Sequence, residues 1–152
     1  MLKKRIIPTL LLKNGRLVKG KDFKNYKDVG DPLSVVKIYS NQYADELIFI
    51  NIGEKEKDFE FLINILSEAS KNCFIPVTAG GGINSLDKAE KLFKSGADKI
   101  LVTSEIIKNS NLILDISKKF GRQAMVAGID ILENKEEIKI VYGRNREISK
   151  YK

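Results

Sequence analysis

Apolar and polar positions along this chain alternate in two rhythms, one of two residues and one of three to four. Residues 5–12 form an apolar, β-rich run. Residues 13–30 are polar and read as a loop. Asp31-Pro32 then reads as a helix start, with Asp as N-cap and Pro in the first turn. That helix continues through Val35, Val36, Tyr39 and Tyr43. A second strand follows at residues 46–51. Within residues 57–70, Leu62, Ile65, Leu66 and Ala69 recur at helical spacing. The third strand covers residues 75–79. Asn84 or Ser85 caps a third helix whose inward side is Ala89, Leu92 and Phe93 and which Gly96 ends. Residues 99–102 form the fourth strand. A fourth helix covers residues 111–120, with Ile113, Ile116 and Phe120 inward, and stops at Gly121. The fifth strand is expected at residues 124–130, and a short further one at residues 137–141 after a turn near Glu133-Asn134.

Five strands with four intervening helices imply right-handed βαβ crossovers and a parallel sheet. An open doubly wound sheet and part of a barrel both satisfy that order. No GxGxxG follows the first strand and no GxxxxGK[ST] occurs, so neither familiar nucleotide-binding loop is present.

Counting by twos places Arg5, Ile7, Thr9 and Leu11 on one face of the first strand. Glu46, Ile48 and Ile50 share a face of the second strand, and Lys99, Leu101 and Thr103 a face of the fourth. If these faces line a barrel interior, three charges meet in one layer at its bottom. Buried there, they must pair, because lone buried charges are expensive. The alternative is that all three are solvated residues at strand ends.

Gly80-Gly81-Gly82 follows the third strand and precedes a helix start, so bare backbone N–H groups can approach an anion. Thr103-Ser104 holds the equivalent place after the fourth strand and can complete a phosphate cradle. A tight turn with a helix cap explains the same glycines without a ligand.

The 152 residues suit one domain, and the mix of 43% hydrophobic with 31% charged residues is that of a globular chain. No apolar stretch is long enough to span a bilayer, and the N-terminus lacks a signal-peptide core, so no membrane association and a cytoplasmic location are expected. Cys73 has no internal disulfide partner, which fits a reducing compartment. The net charge of +7 comes from dispersed lysines without interleaved aromatics, which argues against nucleic acid. With no histidine, Ser-His-Asp and Cys-His catalysis and His-ligated metals are excluded within this chain.

Several segments together resemble the cyclase subunit of imidazole glycerol phosphate synthase. They are Lys4-Arg5-Ile6-Ile7, Lys13, Gly15-Arg16, Val18-Lys19-Gly20, Gly30-Asp31-Pro32, Asp45-Glu46-Leu47, Gly80-Gly81-Gly82-Ile83, Gly96-Ala97-Asp98-Lys99 and Ile129-Asp130. The resemblance runs from Met1 to about Tyr142, leaving residues 143–152 as a polar tail. It implies a (β/α)8 barrel that receives ammonia from a glutaminase docked on its bottom face. The ammonia passes up the interior to an active site at the top, where an imidazole ring closes on a phosphoribulosyl substrate in histidine and purine-linked metabolism. It further implies that Arg5, Glu46 and Lys99 form the ammonia gate and that Asp98 and Gln123 face the glutaminase. Gly80, Gly81, Gly82, Thr103 and Ser104 would bind a substrate phosphate. Lys19 would lie in a loop over the substrate, and Asp130 would be one of two catalytic carboxylates. No cofactor and no metal are expected.

Two departures from the family pattern stand out. The other catalytic aspartate belongs at position 11, where this chain has Leu11, and leucine transfers no protons. Asn51 also replaces an aspartate. The run Ile7-Pro8-Thr9-Leu10-Leu11-Leu12-Lys13-Asn14-Gly15 instead resembles a divergent branch associated with sugar amidation for surface polysaccharide, which would keep the ammonia conduit and phosphate site without ring closure. Secondly, a full barrel needs about 250 residues. The expectation is therefore a partial barrel of five parallel strands and four helices. It would be a truncated and inactive half, or it would join a second half-barrel chain or another copy of itself.

Overall fold

In the computed structural model, residues 3–21, 24–133, 138–143 and 147–148 are described. A seven-stranded sheet has the order β3-β2-β1-β4-β5-β6-β7, where β2 (Arg16–Lys21) and β3 (Lys24–Gly30) are antiparallel at one side and five parallel strands run from β1 to the β7 edge. The parallel members are β1 (Thr9–Lys13), β4 (Leu47–Asn51), β5 (Val77–Gly80), β6 (Lys99–Val102) and β7 (Met125–Ala127). They are joined by α1 (Pro32–Asn41), α2 (Glu56–Ser70), α3 (Leu86–Lys94) and the pair α4 (Glu105–Lys108) and α5 (Ser110–Phe120). This is the βα order of a partial TIM barrel.

The sheet has two unlike faces. Leu12, Leu47, Phe49, Val77, Ala79, Ile100 and Val102 are buried against a helical layer of Leu62, Leu66, Ala89, Leu92 and Ile116. The opposite face carries Leu11, Ile48, Ile50 and Val126, all only partly buried. The registers Leu11↔Ile50, Ile50↔Gly80, Gly80↔Leu101 and Leu101↔Val126 put one residue of each parallel strand in a single layer on that face. In a closed barrel it would be the lumen.

The helix starts follow the capping pattern. Asp31 accepts from Ser34 N–H at 2.7 Å, with Pro32 in the first turn of α1. Of the two candidate caps of α3, Ser85 is the one used, accepting from Lys88 N–H at 3.3 Å. Helix α1 stops at Asn41, short of the expected Tyr43, which is exposed and has φ +58°.

Residues 13–30 are not a loop. They form a β-hairpin, β2 (Arg16–Lys21) and β3 (Lys24–Gly30), that extends the sheet beside β1. Asn14 and Gly15 both have positive φ (52° and 72°) and close the Lys13↔Arg16 pair. That is the two-residue turn favoured by Asn-Gly, whose twist matches that of the strands. The first strand begins at Thr9 and not at Arg5. Pro8 has no N–H to give to a ladder, although its carbonyl still accepts from Ile48 N–H. The third strand is shifted to Val77–Gly80, so Gly80 lies within it. The fifth is cut to Met125–Ala127, because Ala124 belongs to a 3-10 turn and Gly128 ends the parallel pairing. Asp130 opens a separate antiparallel sheet of β8 (Asp130–Glu133), β9 (Ile138–Tyr142) and β10 (Glu147–Ile148). Asn134, in the expected turn, lies outside the described residues, as does most of the polar tail.

Candidate functional site

At the N-terminal end of the parallel strands, three segments converge on one carboxylate. Glu46 directly precedes β4 and is 4% exposed. Lys99, the first residue of β6, donates to Oε2 at 2.8 Å and to Oε1 at 3.0 Å. Thr78, fully buried on β5, donates its hydroxyl to Oε1 at 2.5 Å. Arg5 approaches Oε2 to 3.8 Å from the solvent side, its side chain 63% exposed. Register explains the meeting, because Thr78 pairs with both Ile48 and Lys99. Burial pushes the Glu46 carboxyl up. The hydrogen bonds from Lys99 and Thr78, with the charges of Lys99 and Arg5, outweigh it and hold the group below its ordinary value. The result is an ionised carboxylate held in place by a lysine from another strand and a buried hydroxyl. The sequence reading missed Thr78. Counting by twos along the third strand would have found it, since 76, 78 and 80 continue the luminal series.

Asp98 and Gln123 lie near this end without joining the cluster. Asp98 accepts from Val77 N–H at 2.8 Å, and its own N–H bonds Val77 O at 2.8 Å, tying the starts of β5 and β6 together. Beside it is a groove of about 230 Å³ lined by Cys73, Phe74 and Pro76, where Phe74 is 92% exposed. Gln123 is exposed in the 3-10 turn, its amide folded against Gly121.

At the other end of the strands the three glycines divide by role. A Cβ on Gly80 would lie 2.3 Å from Leu101 O, and one on Gly81 would lie 2.0 Å from Asn51 O. Both positions are closed by packing. Gly82 has φ +72° and nothing within 4 Å of a would-be Cβ, so its backbone is open to a ligand. Thr103, Ser104 and Asp130 line one cavity of about 80 Å³ with Ile106, Ile129 and Tyr142. The Ser104 hydroxyl accepts from Gly143 N–H at 3.0 Å, so the antiparallel sheet latches onto the loop after β6. Asp130 is exposed at the rim. Neither the glycine run nor Lys19 lines this cavity; Lys19 is exposed on β2 opposite Lys27.

Leu11 is partly buried on the luminal face. Asn51 is buried, and its side chain accepts from Gly53 N–H at 2.9 Å, a turn-holding role. Asp58 was not singled out from sequence. It is 3% exposed and accepts from Asn14 N–H at 2.8 Å and Lys55 N–H at 3.0 Å, fastening the Asn-Gly turn to the start of α2. Its place three residues after Lys55, at a helix start, was the available signal. Among the described residues no group of three His, Cys, Asp or Glu is placed to hold a metal, and no helix is long and apolar enough to cross a membrane.

Residues 5–151 match the family described as histidine biosynthesis protein. The chain is 43% identical over 130 residues to the imidazole glycerol phosphate synthase subunit HisF of Staphylococcus saprophyticus, covering 86% of this chain and 52% of that protein. It is 45% identical over 130 residues to the same subunit of Flavobacterium johnsoniae, with the same coverage. Against that of Alkaliphilus metalliredigens the identity is 37% over 149 residues, covering 96% of this chain and 59% of the relative. The chain thus spans about half the length of the curated relatives it matches. A sheet of five parallel strands with helical crossovers, and a match over nearly every residue, lead to one conclusion: the chain belongs to the histidine biosynthesis protein family.

Proposed function

We propose that this chain forms the N-terminal part of an ammonia-transferring synthase barrel of the HisF type. In this reading a glutaminase docks at the N-terminal end of the strands, near Asp98, Gln123 and the exposed Phe74. Ammonia passes the Arg5, Glu46 and Lys99 cluster into the lumen. A phosphorylated substrate binds at the opposite end, its phosphate held by the Gly82 backbone and by Thr103 and Ser104, covered by the hairpin that carries Lys19. Asp130 serves there as the general acid or base. The observation that carries the reading is the carboxylate of Glu46, buried on the luminal side of the sheet and bound by a lysine from another strand. The lumen supports an apolar, water-poor path, since Ile48, Ile50, Leu101 and Val126 line it.

A second half-barrel packing on that luminal face is part of the proposal, whether it is a further segment, another chain or another copy. Among the described residues β7 pairs only with β6, which leaves an edge for it.

Mixing this chain with a glutaminase subunit of the imidazole glycerol phosphate synthase type should accelerate glutamine hydrolysis, and Glu46→Gln should abolish the acceleration. Neither complex nor acceleration would overturn the proposal.

Leu11 favours a second reading. With an apolar residue where the family pattern has a carboxylate, Asp130 stands alone, and the barrel adds ammonia without closing a ring. Leu11→Asp in a completed barrel should then restore cyclisation, and failure to do so would remove this explanation.

A further inference from the structure

The Ser104 hydroxyl stands between two parts of the fold. It belongs to the loop after β6 and lines the cavity with Thr103 and Asp130. The N–H of Gly143, directly after β9, donates to its oxygen at 3.0 Å. At the other end of α4, Lys108 holds its ammonium 5.8 Å from the centre of the Tyr142 ring. Two adjacent residues at the end of β9 are therefore gripped by the single segment 104–108, with the cavity beside them.

A serine hydroxyl has one hydrogen to donate and two lone pairs that accept. Gly143 occupies one lone pair and leaves the hydrogen unused. Among the described residues that hydrogen meets no acceptor. The tetrahedral oxygen turns it away from the Gly143 N–H. Gly143 reaches this place with φ +70°, a conformation that glycine adopts without strain. A Cβ there would first meet the flexible tip of Lys108, at 3.4 Å, so the demand for glycine is one of backbone conformation.

We propose that Gly143 is a positioning residue for an anion at this end of the sheet: its N–H orients the Ser104 hydroxyl, so that anion binding and docking of the antiparallel sheet strengthen one another. The inference rests on the reading of Ser104 as a phosphate contact. From Gly143 N–H to Ser104 O–H to a phosphate oxygen, every donor points the same way. Each bond polarises the next, and the charge of the anion strengthens the chain. A hydroxyl already held by Gly143 also loses less rotational freedom when the anion arrives. The two partners do not compete, because the phosphate takes the hydrogen while Gly143 uses a lone pair. Whatever factor the docked sheet adds to anion affinity, the anion returns to docking of the sheet.

The test is amide exchange of residues 138–142 in the full chain, with and without millimolar inorganic phosphate at fixed ionic strength. Phosphate should slow that exchange about fivefold, the lower end of usual couplings. Slowing through local opening requires that the opened sheet bind phosphate more weakly than the docked one. At equal phosphate occupancy, Ser104→Ala should lose the slowing, and Ser104→Thr, which keeps a hydroxyl, should retain it. Calorimetric titration supplies the reciprocal arm. Gly143→Ala strains the positive φ, loosens the latch and should weaken phosphate binding about fivefold. Combined with Ser104→Ala it should weaken binding no further than Ser104→Ala alone. If Gly143→Ala does not fold its sheet, the exchange comparison of Ser104→Ala with Ser104→Thr decides. Phosphate that binds without slowing residues 138–142, or losses that add in the double variant, would overturn the coupling and leave the phosphate reading standing. No phosphate binding by the parent chain would overturn both.

Discussion

The two ends of the parallel sheet are built on opposite plans. At the N-terminal end a charged group is buried and every polar atom around it is engaged: Glu46 with Lys99, Thr78 and Arg5. At the C-terminal end the carboxylate of Asp130 is exposed, the Gly82 backbone is open, and the one latched hydroxyl, Ser104, is held from a separate sheet. A preorganised ion cluster needs rigid strands, because a poorly placed partner leaves a buried charge unpaid. A site that must admit and release a ligand needs loops. The same strands supply both, regular where they begin and giving way to loops where they end.

The sharpest way to break this contrast lies within the C-terminal end itself. Gly81 and Gly82 are neighbours with positive φ, yet only Gly81 is packed against Asn51 O. Gly81→Ala should cost about 4 kcal/mol, combining backbone strain with overpacking. Gly82→Ala carries the strain alone and should cost about 1 kcal/mol. Urea unfolding of the two variants measures the difference. Equal losses would mean that the open character of Gly82 is not real.

Next in size is Glu46→Gln, which keeps the shape of the side chain and removes its charge. Lys99 then faces no carboxylate. Its side chain is about one-third exposed and can turn to water, so the loss should be about 2 kcal/mol, less than for a fully buried pair. The sign of the pH dependence follows from the lowered Glu46 value. A carboxyl held below its ordinary value in the folded state adds stability above that ordinary range. The contribution is lost as pH falls through the folded value. Stability of the parent chain should therefore fall more steeply in acid than that of Glu46→Gln, with the gap between them closing there. A constant gap across the acid range would show that the charge of Glu46 contributes nothing.

What the sequence disclosed follows the same division. The crossovers and the luminal series were readable because regular strands obey a period of two, and that count brought Glu46 and Lys99 to one place, while Arg5 lies ahead of its strand and reaches Glu46 only at 3.8 Å. The count was not extended to the third strand, so Thr78 went unnoticed. Residues 13–30 were misread for a different reason. Their lysines and glycines looked like loop composition, while the Asn14-Gly15 turn signal and the buried Leu17 that make them a hairpin are only two features among many polar residues. The end of the fifth strand was misplaced because the parallel pairing stops at Val102↔Ala127 and Asp130 pairs instead with Val141 in the second sheet, a change of partner that periodicity along one strand cannot reveal. The division of labour among Gly80, Gly81 and Gly82 is likewise a matter of what lies across from each.

The smallest effect tests the latch between the two sheets. Ser104 Oγ accepts from Gly143 N–H, and Tyr142 beside it borders the cavity shared with Asp130. Ser104→Ala removes the acceptor from a partly buried contact. The Gly143 N–H turns to water, so the loss should be about 0.5–1 kcal/mol, the net worth of one neutral hydrogen bond. The more telling reading is local. Amide exchange of residues 138–142 should quicken in Ser104→Ala while that of Thr78 and Phe49 is unchanged, because opening one end need not open the other. Uniform acceleration would mean that the two ends unfold as one unit, and the contrast between a rigid ion cluster and an adjustable mouth would not hold.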